Sequence, residues 1–522
     1  MVLVLVLVIV VMVSLAGFSF VATMSNEDKA TRMRGEEIQA EQLMRSGQEM
    51  VRLLLEMPVE AVENAGGLYD NEDLFRGVLV FQDEALQQRG RFTVISPRLD
   101  GDQIEGIRYG LENESAKLNL AVLMAWDKER PGAARDALLQ LPSMTESAAE
   151  AILDWMDADS APRASGAEAD YYQTLSRPYT PRNAAVECLE EMLMIRDVSR
   201  ELLYGWDANR NYELEPAEMA YQPTLLPPSL APSPQGSLPW TSLLTVLSAE
   251  RNVNPQGKPR LDLNDKDLSR LQQGLSEAVG QPLANFIIAY RQYGPYEGSE
   301  SPNVSADTSV DIRRPGKFRI ESPLDLVNAR VRLSPPSEEG ETVQVMESPL
   351  SEQSFDYGER LLALMDYATV FPQPVIRGRI NVNLAPAPVL QAVPGMEQAI
   401  VQQILSARQS RSGASDPTRR HPVWLMLDRL VTREQMKKLL PYLTCGGDVH
   451  RAQIVGFYDG GGPAARAEVV FDATQRPVQQ VYWKDLRILG RGYSLDVLGS
   501  EGAAGVDDLS RFSRLTSARR FP

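Results

Sequence analysis

MVLVLVLVIVVMVSLAGFSFVATMSN, residues 1–26, is the stretch on which the fold of this chain turns. No Lys, Arg, Asp or Glu occurs before Glu27. About 20 apolar residues in a helix match the hydrocarbon thickness of a bilayer. A backbone facing lipid must satisfy its own hydrogen bonds, so a helix is the expected form. Ser14, Gly17 and Ser19 suit it, because small residues allow close helix contacts in lipid. Three readings compete. A cleaved secretory signal calls for a basic start, a shorter apolar core and a small-residue cleavage site. Here there is no basic start, and the apolar run leads straight into more helix. The second reading is a plain membrane anchor. The third is a helix held in the bilayer first and packed into a filament core later. Lys29, Arg32 and Arg34 follow the segment and nothing basic precedes it. Taken literally, the positive-inside rule would put the bulk of the chain in the cytoplasm. A short basic leader upstream of Met1 is expected instead.

Residues 27–57 continue the helix. Met33, Ile38, Leu43, Met44, Met50, Leu53 and Leu54 recur near helical spacing with charges between them, and Pro58 marks the stop. The whole is one helix, half compatible with lipid and half amphipathic. At 522 residues the chain has the length of roughly three to four domains. Its 43% hydrophobic and 7% aromatic content is that of a globular protein. A net charge of −17 argues against nucleic acid, whose phosphates need clustered Lys and Arg, and against anionic lipid surfaces. Cys188 and Cys445 form neither a zinc pattern nor a disulfide framework. Two buried thiols and one disulfide are both open readings.

Residues 77–81, 91–95 and 104–111 read as strands, with a turn over 97–102. From Lys117 the pattern becomes helical. Lys117-Leu118-Asn119-Leu120, Arg260-Leu261-Asp262-Leu263-Asn264 and Arg379-Ile380-Asn381-Val382-Asn383 each precede a helical run. This basic–apolar–Asn/Asp–apolar unit is an internal repeat. Its Asn or Asp side chain bonds back to local backbone and starts the next helix. After the first and third units, Leu141-Pro142-Ser143-Met144 and Val393-Pro394-Gly395-Met396 lead into a further helix, a helix-hairpin-helix pattern. Glu146 and Glu397 stand where phosphate would approach, so both hairpins read as packing modules. Residues 223–239 read as a Pro-rich linker; 293–309, 334–349 and 410–422 read as loops. Residues 317–331 read as a strand and a short ordered segment. Residues 452–458, 467–471, 478–483 and 493–498 read as strands, and residues from 499 onward as a tail.

One loop carries a metal-ligand pattern. Asp207, Asn209, Asn211, Glu213, Glu215 and Glu218 fall at the EF-hand positions 1, 3, 5, 7, 9 and 12. Calcium needs several hard oxygens from one short loop, and this spacing supplies them. Tyr212 stands where the sharp turn usually has Gly, and the bland alternative is a solvated acidic loop. A second acidic group comprises Asp154, Asp157, Asp159, Glu168 and Asp170. Asp154 and Asp157 share a helix face and repel unless a cation or base neutralises them. No catalytic pattern is present: His421 and His450 are the only histidines, and Gly-x-Ser-x-Gly, His-Glu-x-x-His and P-loop sequences are absent.

These features, in this order, resemble the K-type minor pseudopilin of the bacterial type II (general) secretion system. The resembling residues are the Leu/Val-rich start, Lys117-Leu118-Asn119-Leu120 and Ala151-Ile152-Leu153-Asp154-Trp155-Met156-Asp157 with Asp159. Gly166-Ala167-Glu168-Ala169-Asp170-Tyr171-Tyr172 and Arg379-Ile380-Asn381-Val382-Asn383-Leu384-Ala385-Pro386 complete the set. The resemblance implies an α+β fold: a long pilin-type helix, a pilin-like antiparallel sheet and a large helical domain inserted between its strands. It implies a structural role at the pseudopilus tip, with I- and J-type and major pseudopilins as partners, and Ca2+ in the inserted domain. It also implies a single-pass inner-membrane protein with its bulk in the periplasm, and Leu5 in place of the usual Glu at mature position 5. On this reading 1–26 is the membrane part, 27–110 the amphipathic helix and first sheet part, and 111–222 the first helical part. Residues 223–240 form the linker, 241–445 the second helical part, 446–499 the C-terminal strands and 500–522 the tail. The alternatives are a tip minor pilin of a type IV pilus and a membrane-anchored helix-hairpin-helix DNA-binding protein.

Overall fold

The computed structural model describes residues 2–101, 103–219, 238–333, 343–410 and 417–500. Val2–Glu56 is one helix, α1, and its apolar first half is long and apolar enough to cross a membrane. Burial on α1 begins at Ala40. Ala40, Met44, Val51 and Leu54 lie on one side and pack against a seven-stranded antiparallel sheet.

The strands are β1 (Val78–Phe81), β2 (Gly90–Asp100), β3 (Gln103–Tyr109), β4 (Glu112–Asn113), β5 (Val449–Tyr458), β6 (Ala465–Asp472) and β7 (Gln479–Asp485). Their order is β1-β2-β5-β6-β7, with β3 also on β2 and β4 on β5. Phe92, Val94, Ile454, Ala467, Val469 and Phe471 face the helix. Helix and sheet approach closely because glycines line the contact. A Cβ on Gly456 would come within 2.3 Å of the Ala40 carbonyl oxygen, and one on Gly90 within 2.7 Å of Leu43. The opposite face holds a smaller cluster of Ile95, Val455, Phe457, Tyr493 and Leu498.

The chain leaves the sheet at β4 and returns at β5, and those two strands pair directly, Asn113 with His450. Everything between is one insertion, whose core runs from Leu118 to Leu443. Three units repeat inside it. Leu118–Asn119 pairs in parallel with Leu244–Thr245, Leu261–Asp262 with Ala368–Thr369, and Ile380–Asn381 with Leu443–Thr444. In each unit the Asn or Asp oxygen accepts the backbone N–H two residues on, at 2.9, 2.8 and 2.9 Å. In each partner strand the Thr hydroxyl does the same, at 3.1 Å for Thr245, Thr369 and Thr444. These local bonds hold the chain extended for two residues and then turn it, which is how so short a strand recurs at fixed places.

A buried ion network joins insertion and sheet. Glu114 is fully buried (0% exposed). It accepts from Arg451 of β5 at 2.7 Å and from the Thr245 hydroxyl, and lies 3.3 Å from the Lys117 ammonium. Lys117 also meets Glu112, and Arg451 meets Glu468 of β6, both at 2.8 Å. Burial pushes the Glu114 carboxyl up, but Arg451 and Lys117 outweigh it and hold it well below the carboxylate range.

Several sequence expectations are corrected. Residues 97–100 are strand rather than turn: β2 runs through Pro97, which sits at a register irregularity where its missing N–H is tolerated. Residues 317–322 are not strand; regular structure starts with the turn Pro323–Leu326, capped by Ser322 and Asp325, and the strand Arg330–Arg332. The stretch 334–349 contains a strand, Val345–Glu347, paired with Arg330–Arg332. Residues 493–498 are not strand: Ser494 accepts from the Val497 N–H and caps a short helix, Leu495–Leu498. Within the exposed loop expected over 410–422, His421 is buried against Asp366, with Nε2 2.7 Å from Oδ1. Residues 223–237 of the linker, 334–342, 411–416 and 501–522 lie outside the described residues.

Candidate metal sites

The loop 207–218 connects two short helices, Arg200–Tyr204 and Pro216–Met219. Its first acid, Asp207, accepts from the backbone N–H of Asn211 at 3.1 Å and of Tyr212 at 2.7 Å. Its last, Glu218, reaches back to the N–H of Ala208 at 2.9 Å and of Glu215 at 3.1 Å. Asn209 and Asn211 accept N–H bonds from Asn211 and Glu213 and donate their amides to Glu215. Glu213 is exposed. The loop thus closes on itself, with first and last carboxylates converging. Burial lifts the Asp207 pKa to about 6; backbone donors pull it down, and Glu218 pushes it up again.

Tyr212 explains how a loop without the usual Gly makes this turn. Its φ is +65°, the left-handed conformation the position demands. Its ring packs into the cluster on the outer face of the sheet, beside Tyr493 and Val455. The Arg210 carbonyl accepts from Gln453 of β5 at 2.9 Å, and the Asn211 amide donates to the Gly492 carbonyl at 3.0 Å. The loop belongs to the insertion yet is fastened to the sheet. Sequence spacing could not reveal this, because the partners lie more than two hundred residues away.

The second acidic group sits at the end of the helix Glu146–Met156, whose last turn has no basic residue. Carboxylates there oppose the helix dipole. The structure gathers three of the five acids: ligand oxygens of Asp157, Asp159 and Glu168 lie within 4.8 Å of one another. Asp154 lies outside that group and is paired instead with Arg163, whose Nη1 is 2.5 Å from it and 2.5 Å from Asp157. Asp170 is exposed in the first turn of the helix Ala169–Tyr172 and stands outside the group. Arg163 was not among the residues singled out from sequence. The signal for it was present: two acids three apart at a helix end need a nearby counter-charge.

Glu168 is the decisive residue. It is only 4% exposed, and among the described residues neither carboxylate oxygen has a hydrogen-bond partner; the Asp157 Oδ1 atom is likewise buried and unpartnered there. Burial raises the Glu168 pKa, Asp154, Asp157 and Asp159 raise it further, and the nearby backbone N–H of Ala169 pulls it only part of the way back. A buried carboxylate with no donor costs several kcal/mol when ionised, in the range of about 1–3 or more. A hard divalent cation would satisfy all three acids at once, and the all-oxygen donor set suits Ca2+. In the loop the donor set also suits Ca2+, but there its oxygens already accept protein N–H groups.

A family model described as type II secretion system (T2SS), protein K, matches residues 116–204, which include the second acidic group. No curated protein matches the sequence. Among solved structures, the chain is similar to a chain in the crystal structure of the GspK-GspI-GspJ complex of the enterotoxigenic Escherichia coli type 2 secretion system. That similarity has 11% identity and a TM-score of 0.36, over 87% of this chain and 99% of that one.

Proposed function

From the match of residues 116–204 to the protein K family of type II secretion, we propose that this chain is a minor pseudopilin at the pseudopilus tip. In this role it initiates assembly and caps the growing filament. The observation that carries this reading is the polarity of the molecule. The apolar half of α1 leaves the sheet at one end, where the Tyr458 hydroxyl meets Gln39 at 2.8 Å. The insertion leaves from the other end, where β4 pairs with the start of β5. At that end the C-terminus of α1 also meets the segment leading into β7, with Glu56 3.2 Å from the Val478 N–H. A subunit anchored at one end and carrying so large a mass at the other suits the last place in a filament, above which nothing adds.

The partners are I- and J-type minor pseudopilins and, below them, the major pseudopilin. The chain sits in the inner membrane before assembly with its bulk in the periplasm. The role is structural and asks no side chain to make or break a bond. Calcium belongs to it as a structural ion, held by Asp157, Asp159 and Glu168 and, in the loop, by Asp207, Asn209, Asn211, Glu215 and Glu218. The test is affinity capture of the full chain in detergent with I- and J-type pseudopilins, with calcium and with chelator. A stable complex that weakens in chelator is the expected result. No complex in either condition would overturn the proposal.

A further inference from the structure

The two flanks of α1 above the apolar segment differ in kind. One carries Glu41, Arg45, Glu49, Arg52 and Glu56, at helical spacing. These charges are already matched: Arg45 to Glu41 at 2.6 Å, and Arg52 to Glu49 at 2.8 Å and to Glu56 at 2.9 Å. This flank faces the β7 side of the sheet, where Arg487, in the turn just after β7, adds a pair with Glu41 at 3.4 Å. The other flank carries Gln39, Gln42, Ser46, Leu53 and Met57 and has no charge from Gln39 to Met57; Glu36, one turn below Gln39, is the nearest. It faces the β1 edge of the sheet, where Phe81 pairs with Gly90 and Gly90 sits against Leu43. Exposed apolar side chains occur at separate levels along it: Phe81 (52% exposed) and Val80 (44%) on β1, and Leu53 (46%) further along α1.

We infer that this neutral flank, between α1 and the β1 edge, is where the amphipathic helix of a second pilin-type subunit docks, while the charged flank stays in water. The inference rests on the function proposed above and adds the face on which the partner lies. Two physical arguments select it. Depletion of charge around exposed aromatic and aliphatic side chains marks interface cores, whereas covering the other flank would strip water from internally paired charges with little return. And a partner anchored in the same bilayer must run beside α1, whose residues 2–24 are wholly exposed. Packed helices sit about 8–10 Å apart, so a helix that follows α1 out of the bilayer meets one flank or the other.

The experiment uses the full chain in detergent with I- and J-type pseudopilins. One arm places charge on the neutral flank (Ser46→Arg, Leu53→Arg, Phe81→Arg); the other reverses charge on the opposite flank (Arg45→Glu, Glu49→Arg). All five positions are at least partly exposed, so the fold is retained, and a melting curve checks it. A photo-crosslinking residue at Ser46 or at Glu49 gives a second readout that needs no loss of affinity. Weakening of about tenfold or more from the first arm, with capture of the partner from position 46 only, is expected. Weakening or capture from the second arm, or equally from both, overturns the assigned face and leaves the partner reading intact. Failure of the unaltered chain to capture either pseudopilin overturns that reading and this inference with it.

Discussion

Glu114 and Glu168 are both buried glutamates, 0% and 4% exposed, and their surroundings are opposite. Glu114 has Arg451, Lys117 and the Thr245 hydroxyl around it. Among the described residues the Glu168 carboxylate oxygens have no hydrogen-bond partner, and carboxylate oxygens of Asp157 and Asp159 lie within 4.8 Å. Burial penalises both charges equally in kind; only the neighbours decide which is tolerated. The first arrangement is complete without anything added and locks the insertion to the sheet. The second is incomplete in protein atoms alone. A buried acid thus means either a structural lock or a place for a cation, and the partner inventory separates the two.

The largest effect tests the lock. Glu114→Gln leaves Arg451 and Lys117 buried with a lost counter-charge, and should cost about 3–5 kcal/mol in denaturant unfolding. The pH dependence follows from the sign of the shift. The folded Glu114 carboxyl is held below its unfolded value, about 4.3. Its contribution is therefore fully present above that pH and is lost as the pH falls toward the folded value. The Gln variant should lack this part of the acid slope. A variant as stable as the parent, with the same acid slope, would mean that Glu114 is only a passenger in the network.

The next effect tests the incomplete site. Calcium at a hundred times its dissociation constant should raise stability by about 2.7 kcal/mol, read as a higher melting temperature. Glu168→Gln should remove most of that gain while leaving calcium-free stability equal or slightly higher, because one of three repelling charges is gone. Destabilisation of the calcium-free protein by this change would show that Glu168 has a compensating partner after all, and the contrast with Glu114 would fail.

Where the chemistry is local, the chain could be read without coordinates. Asn119, Asp262 and Asn381 turn their own backbone within two residues, so the repeat was visible as a pattern. The helix Leu268–Val279 and the stop of α1 before Pro58 were legible for the same reason. The matching Thr245, Thr369 and Thr444 were not, because each pairs with a strand 63 to 126 residues earlier in the chain. Residues 493–498 alternate like a strand, but the Ser494 cap and the burial of Leu498 against Val455 and Phe457 make a helical turn instead. The acidic loop was found by spacing. Which carboxylate of the other group lacks a donor depends on Arg163 and on three-dimensional proximity, and no spacing rule carries that.

The smallest effect asks whether the acidic loop differs from the Glu168 site in a third way, by being fastened to the sheet. Tyr212→Gly removes a left-handed strain of about 1 kcal/mol, since Gly adopts that conformation freely. It also removes a ring from the outer-face cluster, where burial of a large apolar side chain contributes about 1.5–3 kcal/mol when complete and less here because Tyr212 is half-buried. The ring term is the larger of the two, and a net loss of about 1 kcal/mol is expected. The calcium-dependent shift should be unchanged, because every proposed ligand stays in place. A stabilised variant would mean that the ring is no anchor and the loop is a free-standing turn. A lost calcium response would mean that docking on the sheet shapes the donor set, which would make this loop rather than Glu168 the site that senses the ion.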